Sequence, residues 1–162
     1  MVLEFEMKEY RFYGADTPPV NPNAERAAES GGRFDPSFAK IKDQRDLYSL
    51  LFDLWTERTC APRLRGNWSE EDRTLGQCSI TAFLVQDIFG GRVFGVPLPS
   101  GGVHCYNEVS GVCFDLTSEQ FKGEKLSYDR NFPQQREEHF ADEDKKSRYE
   151  LLRAGLLNKL NG

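Results

Sequence analysis

With 162 residues, the chain is long enough for one domain with a full hydrophobic core and too short for two comfortable ones. Its formal net charge of −5, with basic residues scattered among acidic ones, argues against a nucleic-acid partner, because phosphate binding requires clustered Lys and Arg. The N-terminus lacks a signal-peptide pattern, and no apolar run is long enough to span a membrane, which predicts a soluble cytoplasmic protein. The four cysteines form no CxxC pair, so we expect reduced thiols.

The first 35 residues carry the weakest structural pattern. Residues 5–12 show a broken apolar alternation that fits one strand, and the following segment is rich in Pro, Gly, Asn and charge, which favours a loop. We predict an extended N-terminal arm over residues 1–35, lying on one domain that spans residues 36–162. A partner-binding arm is the alternative, and no residue pattern selects it.

Two amphipathic helices are predicted toward the two ends of this domain. Asp43 is a suitable N-cap for a helix over residues 44–58, in which five large apolar side chains recur at helical spacing. A closing helix is predicted over residues 143–160, with Asp142 or Asp144 as its cap. Its apolar stripe, which we expect in the core, consists of Tyr149, Leu152, Leu156 and Leu160.

A third helix is predicted to begin at Cys78. Residues 80–89 are apolar on nearly every side, which is typical of a helix buried at the centre of a domain. Gly90 and Gly91 follow and supply its C-cap. Together with the strands described next, this helix predicts an α+β fold.

The strands follow the central helix directly. Residues 92–98 are apolar and β-favouring, although Pro97 restricts them to a sheet edge or a strand end. Ser110-Gly111 is a two-residue hairpin signal between strands predicted over 104–109 and 112–117. If Val109 pairs with Val112, then His104 and Asp115 become diagonal neighbours on one sheet face. Residues 119–139 read as a long surface connection.

Cys78, His104 and Asp115 form the candidate catalytic set. A thiol at a helix N-terminus is favoured as thiolate by unpaired N–H groups and by the helix dipole. His104 could take its proton, and Asp115 could fix the imidazole tautomer and stabilise its charged form. The N–H groups at the helix start are natural donors to a tetrahedral oxyanion.

Each of these residues also has an ordinary structural interpretation, as a small core side chain, a packed histidine or a turn-forming carboxylate. A zinc site built from Cys78, His104, Cys113 and Asp115 matches no familiar ligand spacing, so we expect no metal and no cofactor. Cys113 shares the face of His104, but burial is the favoured interpretation for it. We expect Cys105 in the core.

The other histidine, His139, lies in the acidic stretch EEHFADED. We interpret it as a solvated surface residue.

GQCSITAFLVQDIFGG followed by HCYNEVSGVCFDLTSEQF resembles the YunG-like family of small bacterial proteins. DLYSLLFDLWTERT and SRYELL fit the same resemblance, which covers about residues 38–157. The order Cys, His, Asp is similar to the wider transglutaminase-like (papain-like) superfamily. That resemblance implies a central helix packed on a small antiparallel sheet with flanking helices. It also implies that Cys78 is the nucleophile, His104 the base and Asp115 the third member of a triad.

The resemblance also points to four candidates for substrate or oxyanion contacts. Tyr106 fills a place where the superfamily often has Trp, and Asn107 beside it could orient a substrate or a loop. No dedicated oxyanion side chain is evident, and Gln77 and Trp68 are the candidates for that role.

Two function hypotheses follow. The first is a cysteine-dependent acyl-transfer enzyme, a hydrolase, deamidase or transglutaminase-like enzyme, that acts on a peptide, an amide or a small acyl substrate. The second is a non-catalytic binding or accessory module that keeps the fold. An open cleft that reaches Cys78 would favour the enzyme, whereas a triad sealed by residues 60–74 would favour the module. A redox-sensing role for Cys78 is a third option.

Overall fold

A computed structural model of the protein describes residues 10–162, and these residues form five α-helices and a four-stranded antiparallel sheet. The helices are α1 (Ala24–Glu29), α2 (Gln44–Leu51), α3 (Cys78–Phe89), α4 (Arg136–Phe140) and α5 (Glu143–Asn161), and the strands are β1 (Arg92–Pro97), β2 (Val103–Val109), β3 (Val112–Phe114) and β4 (Phe132–Pro133). The α+β class predicted from the sequence is therefore confirmed. No helix among residues 10–162 combines the length and the apolar character that a membrane crossing needs.

The core is built around α3. Residues 80–89 of this helix are all buried, as the apolar pattern predicted. The helix packs against β2 and β1 on one side and against α5 and α1 on the other. It ends at Phe89, and its C-cap residue Gly90 has a φ of +80°, which is costly for other residues. Gly91 then allows a close backbone approach, since a Cβ there would lie 2.2 Å from the Glu108 carbonyl oxygen.

The sheet has the strand order β3-β2-β1-β4. Val109 pairs with Val112 across a turn in which Ser110 and Gly111 both have positive φ, 51° and 80°, as a type I′ hairpin requires. The predicted register is thus confirmed. Pro97 ends β1, which agrees with the restriction that proline imposes.

β3 is shorter than predicted, because it ends at Phe114 rather than near residue 117. The backbone N–H of Asp115 donates instead to the carbonyl of Tyr13, which lies in the N-terminal segment. Asp115 therefore lies where the pairing of β3 with β2 ends and where the backbone pairs with the N-terminal segment at Tyr13.

α2 is also shorter than predicted. Asp43 caps it as expected, but the helix ends at Leu51 instead of continuing to residue 58. The guanidinium of Arg73 donates to the carbonyls of Phe52 and Trp55, so these groups are satisfied from outside the helix. α5 agrees closely with the prediction, with Asp142 as its N-cap.

The polar segments contain more structure than the sequence predicted. β4 and all but the last residue of α4 lie within residues 119–139, which we predicted to be a long surface connection. In the N-terminal segment, residues 1–9 and most of the strand predicted over 5–12 lie outside the described residues. Residues 24–29 form α1, so the loop prediction is wrong for these six residues, and Phe12, Val20 and Ala27 of the N-terminal segment are buried. A six-residue helix of this kind depends on tertiary packing, which a local pattern does not reveal.

Candidate active site

The site begins at the N-terminus of α3. Cys78 is the first residue of that helix and is partly exposed, while residues 80–89 are buried. The first N–H groups of a helix have no acceptor within it, and the positive end of the helix dipole lies there. Both effects stabilise a thiolate at Cys78 and would stabilise an oxyanion next to it.

His104 and Asp115 meet on the hairpin as the register predicted. His104 Nε2 lies 2.6 Å from Asp115 Oδ2, and each side chain is 1% exposed. The other carboxylate oxygen, Oδ1, accepts hydrogen bonds from the backbone N–H and the hydroxyl of Thr117. The Tyr128 hydroxyl donates to Oδ2 at 2.7 Å. Four donors therefore satisfy a carboxylate that is almost completely removed from water, as a buried charge requires.

The imidazole of His104 joins Asp115 to Cys78. Since Nε2 is occupied by Asp115, Nδ1 is the ring nitrogen left to form the hydrogen bond with the Cys78 thiol. Burial by itself lowers the pKa of His104, but the hydrogen bonds and charges of Asp115 and Cys78 overcome that effect and raise it to about 10. At neutral pH the ring is therefore an imidazolium.

The Cys78 thiol is correspondingly acidic. A hydrogen bond from Cys105 and the hydrogen bond and charge of His104 hold the pKa of Cys78 well below its usual range, against the opposing effect of burial. Cys105 donates its thiol proton to the Cys78 thiolate. This hydrogen bond and burial raise the pKa of Cys105 well above the usual thiol range. Ser79 Oγ lies between the two sulfurs, 3.8 Å from Cys78 Sγ and 3.6 Å from Cys105 Sγ.

The remaining thiols lack this environment. Burial, with the nearby Glu108 and Asp115 charges, raises the pKa of Cys113 to about 11. Cys60 is completely buried, and burial raises its pKa as well. Of the four thiols, Cys78 alone is positioned to be a thiolate at neutral pH.

A cleft of about 960 Å³ reaches Cys78 and His104. Residues from five segments line it: 61–64, 75–79, 98–104, 120–126 and 139–148. From the segment over 60–74, residues 61–64 line one side of the cleft, and the segment does not seal the thiol. This volume is within the range of small-molecule sites.

The four further candidates named from the sequence do not line this cleft. Gln77 is buried, with its amide Nε2 donating to the Thr56 carbonyl, so this donor is directed away from Cys78. The Trp68 indole donates to the Arg73 carbonyl within its own loop.

Tyr106 and Asn107 hold structural elements together. The Tyr106 hydroxyl donates to the Tyr128 carbonyl, and the Asn107 amide donates to the Ala82 carbonyl of α3. Neither side chain lines the cleft, and their roles in substrate binding stay predictions.

Sequence reasoning missed several residues that complete the site. Tyr128, which holds Asp115, stacks on Tyr13 with ring centroids 3.8 Å apart. The Phe121 ring lies edge-on against His104 at 4.7 Å. These residues belong to segments without periodic patterns, and their only local signal is an aromatic side chain in an otherwise polar stretch.

His139 is half-buried in the cleft and is not the solvated surface residue that we predicted. Its Nδ1 lies 2.9 Å from Lys145 Nζ, and its Nε2 lies 2.9 Å from Gln134 Oε1. α4, which the sequence pattern did not reveal, brings it there. Among residues 10–162, no three His, Cys, Asp or Glu side chains are grouped so as to hold a metal ion.

Comparison with known proteins gives a consistent family. A family model described as YunG protein matches residues 43–161. A protein of Bacillus subtilis (strain 168), described as "Uncharacterized protein YunG", is 38% identical over 94 residues, which cover 58% of this chain and 78% of the relative. No solved structure matches the chain.

Proposed function

The chain belongs to the YunG family, and we propose that it is a cysteine-dependent acyl-transfer enzyme acting on an amide, peptide or thioester carbonyl through Cys78, His104 and Asp115. The observation that carries the proposal is a single one. An acidic thiol at a helix N-terminus lies in an open cleft beside an imidazolium, which a buried carboxylate holds in place. A purely structural polar cluster has no need of a cleft leading to its sulfur.

The reaction follows from the protonation states. Cys78 Sγ attacks the carbonyl carbon, and the N–H groups at the start of α3 stabilise the resulting oxyanion. The tetrahedral intermediate collapses by breaking the bond to the leaving group, which takes the proton from His104. His104 then accepts a proton from water or an amine as that nucleophile attacks the thioester. The second collapse releases the product and regenerates the thiolate–imidazolium pair.

Asp115 has a positioning role in this scheme. It receives the Nε2 proton of His104 as a hydrogen bond and keeps Nδ1 directed at Cys78 and the leaving group. The order of the three residues, with the cysteine heading a buried helix and the other two on a hairpin, supports placement of the fold in the transglutaminase-like (papain-like) superfamily. That placement is part of the proposal.

The test is the pH dependence of iodoacetamide alkylation at each cysteine, read by peptide mass spectrometry. We expect Cys78 to react rapidly below pH 7. In His104→Ala the rate should fall by at least about tenfold, because the pKa of the thiol then returns toward its ordinary value. Cys113 serves as an internal control in the same samples, since its pKa of about 11 keeps it protonated. Glu124→Gln is the matched control variant, because it alters an exposed side chain at the rim of the same cleft.

Acyl transfer itself is tested with p-nitrophenyl acetate. The expected result is an acetyl group on Cys78 in the intact protein and none in Cys78→Ser. If Cys78 titrates like the other thiols and accepts no acyl group, the enzyme hypothesis fails, and a binding module becomes the better description of the fold.

A further inference from the structure

A second pair of side chains, Lys145 and His139, lines the cleft with Cys78. The Lys145 ammonium has protons only to donate, so its 2.9 Å contact makes His139 Nδ1 the acceptor. His139 is then a neutral imidazole whose Nε2–H donates to Gln134 Oε1. Burial, with the charge of Lys145, lowers the pKa of His139 and keeps it in this state. The imidazole therefore fixes the position of the ammonium without neutralising it.

The charges of the cleft leave Lys145 without a counter-ion. Its lining includes three cations, Arg63, Lys145 and Arg148, and three carboxylates, Glu124, Asp142 and Asp144. Arg148 pairs with Asp144 at 2.8 Å, and Asp142 accepts the backbone N–H of Lys145 as the cap of α5.

Among residues 10–162, no carboxylate forms an ion pair with the Lys145 ammonium. Lys145 is half-buried, whereas Arg63, Glu124 and Asp142 are exposed at the rim, where water and salt screen their charges.

The ammonium and the reacting sulfur line the same cleft. The charge of Lys145 acts on the buried thiol of Cys105, and the charge of Cys78 acts on the ring of His139. A cation that is fixed, partly desolvated and unpaired is a binding group for an anion, since interaction energies rise as the surroundings become less polar.

We propose that Lys145, held by His139, binds a carboxylate of the substrate beside Cys78, so that the preferred acyl donors are acidic compounds with a carboxylate close to the reacting carbonyl. This inference rests on the proposed function, because it assigns a substrate class to the same cleft. It predicts selectivity for anionic over neutral acyl groups and a dependence on salt concentration.

Two alkylating agents of nearly equal size test the inference. In both iodoacetate and iodoacetamide the thiolate attacks a CH₂ carbon and displaces iodide. The two reagents differ in that iodoacetate carries a carboxylate where iodoacetamide carries a neutral amide. Both require the thiolate, so the ratio of their rate constants at Cys78 cancels the amount of thiolate and reports on the recognition of the carboxylate. The rates are read by mass spectrometry of the Cys78 peptide at pH 7.

We expect Lys145→Gln to lower the iodoacetate-to-iodoacetamide ratio at Cys78 about fivefold, which is typical of losing one partly buried charge contact. Lys145→Arg should retain most of the ratio. Lys146→Gln is the matched control, because the neighbouring lysine is exposed and does not line the cleft. The wild-type ratio should also fall when salt is raised from low to high concentration.

The outcomes separate the two proposals. If Lys145→Gln leaves the ratio unchanged, the inference is overturned; an equal slowing of both reagents would mean that Lys145 only stabilises the thiolate. In either of these cases a fast, His104-dependent reaction of Cys78 would leave the proposed function standing. If Cys78 reacts no faster than an ordinary thiol with either reagent, both proposals fail together.

Discussion

Replacing Asp115 by Asn tests the central electrostatic claim, because the substitution removes a charge and keeps the size of the side chain. In the wild type the pKa of His104 rises from 6.5 to about 10, and Asp115 is the leading cause of that rise. The change corresponds to roughly 5 kcal/mol of preference for the imidazolium. Burial acts in the opposite direction, so without the carboxylate the pKa of His104 should fall back toward 6.5 or below.

The consequence reaches Cys78 through the shared proton. With a neutral imidazole beside it, the thiol loses its ion-pair partner, and its pKa rises. We expect iodoacetamide alkylation of Cys78 at pH 6 to slow by at least about tenfold in Asp115→Asn and to recover at alkaline pH. Asp144→Asn is the matched control, since that carboxylate lines the same cleft but pairs with Arg148.

Two measurements test whether Asp115 raises the pKa of His104. NMR of the two imidazoles, with His139→Gln used for assignment, measures the pKa of His104 directly. Urea unfolding measures its contribution to stability: a pKa raised on folding gives stabilisation that is complete below 6.5 and is lost as pH rises through about 10. The wild type should therefore exceed Asp115→Asn in unfolding free energy more at pH 6 than at pH 10.5. An unchanged His104 titration in the variant would refute the assignment of Asp115.

Two other substitutions separate reactivity from stability. Cys105→Ala removes the thiol that donates to Cys78, so the midpoint of Cys78 alkylation should move to higher pH in the same assay. Asp87→Asn should lower the free energy of unfolding by about 3–5 kcal/mol in urea titrations, because this completely buried carboxylate pairs with Arg136 at 2.5 Å and accepts the Tyr149 hydroxyl. The alkylation of Cys78 should stay at the wild-type rate in Asp87→Asn.

Each of these two substitutions has a control elsewhere in the chain. Cys113→Ala removes a thiol of high pKa and should leave the midpoint of Cys78 where it is. Glu150→Gln removes a carboxylate whose ion pair with Arg33 is exposed, so it should cost less than about 1 kcal/mol. A Cys105 variant with an unshifted midpoint, or an Asp87 variant as stable as Glu150→Gln, would contradict the respective prediction.

The sequence could predict the pairing of His104 with Asp115 because a two-residue turn leaves little freedom in the register. Ser110 and Gly111 set which residues face each other, and the alternation of side chains then decides the shared face. The helix that begins at Cys78 was predictable for a similar local reason. Its apolar run and its two terminal glycines are contiguous in the chain.

Contacts between distant segments were not predictable in this way. Tyr128 reaches Asp115 from a polar connection, and Arg73 satisfies the carbonyls that end α2 from another loop. Arg73 does not differ locally from an ordinary surface side chain, and the only local signal of Tyr128 is an aromatic ring in a polar stretch. His139 was misinterpreted for the same reason, because an acidic neighbourhood in sequence does not show that α4 turns the imidazole into the cleft.

The four thiols of the chain show that position, more than residue type, determines the chemistry available here. Burial raises the pKa of Cys60 and of Cys113, and Cys105 is held protonated as a donor to its neighbour. Cys78 differs from them in three respects that act together: the helix N-terminus, the imidazolium of His104 and the open cleft. Without the helix N-terminus the Cys78 thiol would be more readily protonated, without His104 it would have no ion-pair partner, and without the cleft it would be inaccessible. A one-residue slip of the hairpin would turn Asp115 away from His104 and lower the pKa of the imidazole. The reactivity that we expect of Cys78 therefore depends on the turn at residues 110–111 as directly as on the thiol itself.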